Sequence, residues 1–138
     1  NQALTRIINF FPEERHHQLF MDLSLNLKAV VSQRLIPVKE GKGRAAAVEV
    51  LLNSPLISDL MAKGEISEIK EIMKKSRELG MQTFDAALFD LYEADRISYE
   101  DALRFADSMN EVRLMIKLHG KESAGADRHA GIQHLDIV

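Results

Sequence analysis

The chain of 138 residues contains no cysteine, and this absence excludes several kinds of chemistry at once. Without thiols there is no disulfide, no thiolate nucleophile and no thiolate zinc site, which fits a reducing cytoplasm. No apolar run approaches the roughly 18–20 residues that would span a bilayer. The first six residues are not a signal peptide, because no apolar stretch follows a basic start. The sequence therefore predicts neither a disulfide-stapled secreted domain nor insertion into a membrane.

A strong charge of either sign is also missing. The formal net charge is −3, so nothing draws the whole chain toward nucleic acid or an anionic membrane, and we expect no nucleic-acid partner. Hydrophobic residues make up 46% and charged residues 28%, which is ordinary for a soluble globular protein. There is no initiating methionine, so we expect a fragment or a processed product.

No phosphate-binding loop is present. Such a loop needs Gly-x-x-x-x-Gly-Lys-Ser/Thr, so that backbone N–H groups cradle phosphate and the lysine reaches the outer phosphates. The nearest candidate, Gly41-Lys42-Gly43-Arg44, lacks both the spacing and the hydroxyl residue. Its glycines favour a flexible turn, and a basic loop that touches phosphate or an acidic neighbour is the alternative. The chain alone is predicted to be catalytically inactive and to bind no cofactor.

Five histidines raise the question of a metal site. His16 and His17 are adjacent on a predicted helix, so their side chains point about 100° apart and do not easily share a metal. His129 and His134 lie in an aperiodic tail. No serine stands between the glycines of a nucleophile elbow. We therefore predict no metal ligand and no catalytic residue.

Hydrophobic periodicity predicts a mostly helical α+β chain with one β-hairpin and about six to seven helices. Helical spacing covers residues 2–10 and continues after Pro12 to about residue 31. The hairpin is predicted over 33–51, with Val48, Val50 and Leu52 alternating on its second arm. The later helices are predicted over 55–63, 65–79, 84–91, 98–106 and 109–118, and residues 119–138 are predicted to form a flexible tail.

Start and stop signals support these helices. Ser54 before Pro55 is typical of a helix start, and Ser98 and Ser108 each precede Asp or Glu by three residues. Gly80 is expected to end a helix with a positive φ, and Thr83 to cap the next one. Phe10-Phe11 before Pro12 is either a local hydrophobic staple or an apolar patch for a partner.

Four segments resemble one protein family, in the same order along the chain. Residues 6–14 are similar to an Arg-Ile-Ile-Asp-x-Phe-Pro segment, and residues 27–35 to Leu-x-Ala-Val-x-Ser-Gln-x-Leu. Residues 43–50 resemble a Gly-Arg-x-Ala-x-x-Glu strand, and residues 80–85 a Gly-Met-Gln-Thr-hydrophobic-Asp motif. The ordered set resembles the C-terminal part of the PilT/PilU family of type IV pilus retraction ATPases.

One departure from the family pattern favours its PilU branch. Retraction motors carry Ala-Ile-Arg-Asn-Leu-Ile-Arg-Glu after a proline, whereas residues 56–63 keep the apolar spacing and lose both arginines and the glutamate. The short helix that starts at Pro55 is our candidate partner-contact element, with Leu56, Ile57, Asp59, Leu60 and Lys63. The family-motif residues predicted to be structural are Gly80, Met81, Gln82, Thr83 and Asp85.

The resemblance implies a hexameric cytoplasmic ATPase at the inner face of the membrane, with ATP and Mg in the full-length protein. Its implied partners are other copies, the other retraction ATPase and the inner-membrane pilus platform protein. This chain would supply the end of the RecA-like core (1–52), a helical region (53–118) and the tail (119–138). It would transmit ATP-driven motion without holding the nucleotide.

Two other functions stay open at the level of sequence. The first is an autonomous helical interaction module, which an unrelated upstream sequence would favour. The second is a helix-turn-helix DNA binder over 65–105, against which the negative net charge and interleaved glutamates argue. We also expect self-association through exposed edges of the hairpin.

Overall fold

The computed structural model describes residues 2–120, which fold into helices and one hairpin. The strands are β1 (Ala29–Pro37) and β2 (Arg44–Leu52), which pair with each other. The helices of this part of the chain are α1 (Gln2–Asn9), α2 (His16–Asn26), α3 (Pro55–Ala62), α4 (Ile66–Lys75), α5 (Phe84–Glu93), α6 (Tyr99–Arg104) and α7 (Met109–His119). Short 3-10 turns precede α2 (Glu13–Arg15) and follow α4 (Arg77–Leu79). The predicted α+β class is confirmed.

The described chain divides into two compact units. The first unit contains residues 2–34 and 48–83, and the second contains residues 35–47 and 84–120. This division follows the contacts within the chain and passes through the hairpin. The domain boundary predicted at residue 52 concerns a longer protein and stays a prediction.

The core of the first unit is built from helices α1 to α4 and the end of β2. Helix α2 packs against α3, and α3 packs against α4. The buried residues that form this core are Leu4, Ile8, Leu51, Ile57, Leu60, Met61, Ile69, Met73 and Met81.

The core of the second unit lies between α5, α6 and α7, which all contact one another. The tip half of the hairpin contributes Ile36, Ala45 and Ala47. The helical residues of this core are Phe84, Ala87, Leu88, Ala102, Leu103, Val112 and Ile116, and Ile97 joins them from the turn before α6.

Side chains alternate along β2 as predicted, and the structure shows which of the two faces is buried. The sequence shows apolar residues at Val48, Val50 and Leu52, but these are only half-buried. The fully buried positions are the odd-numbered ones, Ala45, Ala47, Glu49 and Leu51. The strand is therefore confirmed, and its more buried face carries two alanines, one carboxylate and Leu51.

The second helix is shorter than predicted. It begins at His16 after the 3-10 turn and ends at Asn26, not at residue 31. Leu27 adopts an extended backbone (φ −63°, ψ 134°), and the β-branched pair Val30-Val31 lies in β1. Leu27, Val30 and Val31 continue the helical spacing, but β-branched residues favour the pleated conformation where a partner strand is available.

The predicted helix starts are confirmed by their hydrogen bonds. The Ser54 hydroxyl accepts from the Ile57 amide, Ser98 from the Asp101 amide and Ser108 from the Glu111 amide. Each bond satisfies an amide that has no partner within its own helix. His119 ends α7 and Gly120 follows it, and the rest of the predicted tail lies outside the described residues.

Candidate functional site

Helix α3 presents some of the predicted contact residues and buries others. Pro55 fits the first turn of this helix because it lacks the amide that would be unsatisfied there. Ile57 and Leu60 are buried in the core of the first unit. Leu56 is 50% exposed, and Asp59 and Lys63 are exposed as well. The candidate surface therefore consists of Leu56, Asp59 and Lys63, while Ile57 and Leu60 hold the helix in place.

The start of α3 is hydrogen-bonded to the end of α2. Asn53 Nδ2 donates to the carbonyl oxygens of Ser24 (3.1 Å) and Leu27 (2.8 Å). The Ser58 hydroxyl donates to the same Ser24 oxygen at 2.7 Å. The last carbonyls of a helix have no partner within the helix, so these side chains satisfy groups that the fold would otherwise leave open. Ser58 thus faces its own unit and anchors α3.

The exposed side of α3 carries one ion pair. Lys63 Nζ lies 2.8 Å from Asp59 Oδ2, four residues earlier on the same helix. The hydrogen bond and the charge of Asp59 raise the pKa of Lys63 above its ordinary value. Because both side chains are exposed, the pair orients the two groups but contributes little stability.

The predicted motif around Gly80 forms a turn that joins α4 to the hairpin. Gly80 has φ +93°, the left-handed conformation predicted for it. Met81 is buried, and Gln82 pairs with Val50 through two backbone bonds of 2.9 Å. Gln82 Nε2 also donates to the Val48 oxygen at 2.7 Å. The motif therefore adds one bridge to the outer edge of β2.

The motif ends in a buried carboxylate. Asp85 is 1% exposed, and its two oxygens accept from the backbone amides of Asp107 (2.8 Å) and Ser108 (3.1 Å). These amides lie just before α7, where a negative charge is favoured by the helix dipole. Sequence spacing does not reveal this bond, because Asp85 and Asp107 are 22 residues apart. Thr83 is buried, and its capping role stays a prediction.

The glycine-containing loop between β1 and β2 is fixed at one side. Lys39 donates its backbone amide to the Arg96 oxygen (2.9 Å), and its ammonium lies 2.7 Å from Asp95 Oδ1. The hydrogen bond to Asp95 raises the pKa of Lys39. Asp95 has φ +58°, a conformation that Asp tolerates better than most residues. The loop is thus an anchored turn of the second unit.

Residues 2–120 contain no group of three or more His, Asp or Glu side chains placed to hold a metal ion. His16 instead places Nε2 2.8 Å from the Phe11 oxygen. Across the same residues, no helix has both the length and the apolar character needed to cross a bilayer.

Comparison with known proteins shows relatives in one family. The chain is 63% identical over 123 residues to the type IV pilus ATPase PilU of Pseudomonas aeruginosa, which covers 89% of this chain and 32% of that protein. It is 34% identical over 101 residues to PilT of the same organism, a type IV pilus retraction ATPase, across 73% of this chain and 29% of PilT. No family model matches the chain.

Solved structures agree with the sequence relatives. The crystal structure of the pilus retraction motor PilT with bound ADP superposes on 83% of this chain and 31% of PilT, with a TM-score of 0.71 and 29% identity. The chain belongs to the PilT/PilU family of type IV pilus ATPases. It spans about a third of the length of the relatives it matches.

Proposed function

We propose that the chain is the part of a type IV pilus retraction ATPase that transmits motion to the pilus machinery. The observation that carries this proposal is the 63% identity to PilU over most of the chain. The full-length protein forms a hexamer on the cytoplasmic side of the inner membrane. It binds ATP and Mg through residues outside this chain. Closure of the ring at each nucleotide site then moves this region.

The exposed side of α3 is the proposed contact with a partner, the other retraction ATPase or the platform protein. Two features of the geometry support it. Leu56 leaves half of its surface outside the core of the first unit, next to the Asp59–Lys63 pair. Ser58 and Asn53 tie the helix to α2, so a force applied to α3 reaches the rest of the unit.

The test uses the full-length protein in twitching cells. We expect Leu56→Asp to abolish twitching with unchanged ATP hydrolysis, because a charge in an apolar contact weakens binding by roughly 30-fold. Ser67→Asp on α4 is the matched control, since Ser67 is exposed and lies outside the proposed surface. Normal twitching of the Leu56 variant would refute the contact, and loss of hydrolysis would show a structural effect instead.

A second test concerns the nucleotide. Because no phosphate-binding loop is present, the isolated chain should show no heat of ATP binding in calorimetry. The full-length protein is the positive control. Micromolar binding to the isolated chain would contradict the division of roles proposed here.

A further inference from the structure

Helix α7 carries more apolar surface than the core of the second unit covers. Val112 and Ile116 are buried in that core. Leu114 and Leu118, on the same helix, are 54% and 59% exposed. These two leucines are four residues apart, so their side chains are neighbours on the helix surface. They form an apolar row that stays more than half exposed within residues 2–120.

A row of two exposed cations runs beside the leucines. Arg113 and Lys117 are also four residues apart, and Lys117 lies three residues after Leu114, so both rows share one side of the helix. The Arg113 guanidinium donates to the neutral atoms Asn110 Oδ1 (3.5 Å) and Met109 Sδ (3.4 Å). Neither cation has an ion pair with a carboxylate of residues 2–120. We define the α7 face as Arg113, Leu114, Lys117 and Leu118.

The acidic residue of this helix lies apart from the two cations. Glu111 is half-buried, and with about 100° of rotation per residue it lies on the far side of the leucines from Arg113 and Lys117. The α7 face is therefore positive along one edge and apolar along the other. It fits an occupant that combines apolar side chains with a carboxylate.

The small size of the α7 face favours a tethered occupant over a separate protein. A stable contact with a separate protein buries about 800 Å² on each partner, which is far more than two leucines offer. A segment of the same chain loses less translational freedom on binding, and its effective concentration reaches the millimolar range. We therefore look for the occupant in the chain that follows α7.

Residues 132–138 have the composition that the α7 face requires. They contain one carboxylate and several apolar side chains, Asp136 with Ile132, Leu135, Ile137 and Val138. Residues 121–131 connect them to Gly120. Even a fully flexible linker of that length spans about 18 Å, whereas Gly120 and Leu114 are only about 9 Å apart along the helix axis. The segment is therefore able to reach the whole α7 face.

We propose that residues 132–138 bind the α7 face of their own chain. Their apolar side chains cover the two leucines, and Asp136 lies beside the two cations. The bound segment closes the α7 face to other proteins until it is displaced. This contact uses no residue of α3, so it stands or falls separately from the proposed function.

A spin label in the segment measures this contact in the 138-residue chain. The chain has no cysteine, so Gln133→Cys provides a single site for a nitroxide. At a millimolar effective concentration, a contact of millimolar affinity forms in about half of the molecules. We therefore expect the nitroxide to reduce the amide NMR signals of Arg113 to Leu118 by at least about half. Unchanged signals of these amides would overturn the proposal.

Two substitutions remove the apolar contact from either side. Leu114→Asp alters the α7 face, Leu135→Asp alters the segment, and each should lower the bound fraction about ten-fold. Leu79→Asp is the matched control, because Leu79 is 64% exposed and belongs to the first unit, and it should leave the signal loss unchanged. Leu135→Asp leaves every residue of α7 in place, so its effect does not come from unfolding of the helix. Signal loss that survives both changes would refute the contact.

Charge reversal tests the position of Asp136. In the Gln133→Cys background, Lys117→Glu should lower the bound fraction about three-fold, because it places a like charge near Asp136. Adding Asp136→Lys restores opposite charges and should restore the bound fraction. If the double variant stays low, or if Lys117→Glu has no effect, the proposed arrangement is wrong.

A mixing experiment distinguishes the chain's own segment from that of a second copy. Isotope-labelled chain without cysteine is mixed with spin-labelled Gln133→Cys chain that carries no isotope. The α7 signals of the isotope-labelled chain should stay unchanged, because the contact forms within one molecule. A loss of these signals would mean that a second copy supplies the segment, which contradicts the proposal.

Discussion

Each unit has a helix end that is satisfied by side chains from another part of the chain, and the two units do this with opposite chemistry. In the first unit, the neutral donors Asn53 and Ser58 satisfy carbonyls at the end of α2. In the second unit, the buried carboxylate of Asp85 satisfies amides at the start of α7. A helix exposes unpaired carbonyls at one end and unpaired amides at the other, so the side chain that fits one end is wrong for the other.

This difference shows why the two units should respond differently to mutation. Hydrogen bonds to a charged group contribute more than bonds between neutral groups. A carboxylate also loses more when its partners are removed, because its burial is then uncompensated. Loss of the charged acceptor in the second unit should therefore cost more stability than loss of the neutral donors in the first.

Removing the carboxylate of Asp85 should cause the largest loss of stability. We expect Asp85→Ala to lower the free energy of unfolding of the second unit by about 4 kcal/mol, because two amides lose a charged acceptor. Asp85→Asn, which keeps one acceptor oxygen, should lie in between. The only tyrosines, Tyr92 and Tyr99, both belong to the second unit, so tyrosine fluorescence in urea measures this loss. Glu100→Ala, at an exposed position, should change stability by less than about 0.5 kcal/mol.

In the first unit, the matching substitution puts a carboxylate in place of a neutral donor. Asn53→Asp replaces a double donor with an acceptor beside two carbonyls, so we expect a loss of about 3 kcal/mol. Asn53→Ala removes the donors without adding charge and should cost about 2 kcal/mol. Hydrogen exchange at the α2 amides reports the effect locally. If Asn53→Asp were as stable as the unmodified chain, the donor role of Asn53 would be refuted.

Substitution of two glycines in the first unit distinguishes the cost of backbone strain from the cost of a steric clash. Gly64 and Gly80 both have positive φ, at +73° and +93°. A Cβ at Gly64 would lie 2.9 Å from the Phe20 ring, whereas at Gly80 it would meet Leu52 at an ordinary 3.5 Å. Thermal unfolding should therefore show a loss of about 1 kcal/mol for Gly80→Ala and about 2 kcal/mol for Gly64→Ala. Equal losses would mean that the Phe20 ring moves away freely.

The smallest effect concerns the two exposed lysine pairs. The pKa of Lys63 is raised by Asp59, and the pKa of Lys39 by Asp95. A raised pKa in the folded state contributes stability below the ordinary value of 10.5, and this contribution disappears as pH rises through the folded pKa. NMR titration should show that Asp59→Asn lowers the pKa of Lys63, and Asp95→Asn lowers the pKa of Lys39, toward the ordinary value.

The same titration in urea distinguishes the two pairs. Lys63 and Asp59 are four residues apart, whereas 56 residues separate Lys39 from Asp95. Unfolding should therefore remove the contribution of Asp95 to the raised pKa of Lys39, while local chain contacts preserve part of the contribution of Asp59 to the raised pKa of Lys63. Identical behaviour would show that sequence separation does not matter for these pairs.

Most of the helices were predictable because the residues that start and stop a helix act on neighbouring positions in the sequence. The hydroxyls of Ser54, Ser98 and Ser108 cap helices within four residues of their own position, which spacing alone can reveal. The predicted end of α2 was wrong, because Val30 and Val31 continue the helical spacing and only pairing with β2 makes them a strand. The alternation of β2 does not by itself say which face is buried, and the structure buries Glu49 while Val50 is half-buried.

The candidate site was predictable as a segment but not as a surface. The motif at residues 56–63 locates α3, yet the exposure of Leu56 and the burial of Ile57 depend on where α2 and α4 pack. Likewise, the motif indicates that Asp85 is structural, but no local rule connects it to the amides of Asp107 and Ser108. Contacts across more than 20 residues depend on tertiary packing.

The alternation of β2 has a consequence for insertions. Ala45 and Ala47 fill the core of the second unit, and Leu51, on the same face of the same strand, fills the core of the first. A strand shifted by one residue turns every side chain to the opposite face. One extra residue between Ala47 and Leu51 would put these two side chains on opposite faces of the strand, so such an insertion should damage one hydrophobic core while the other keeps its strand residues.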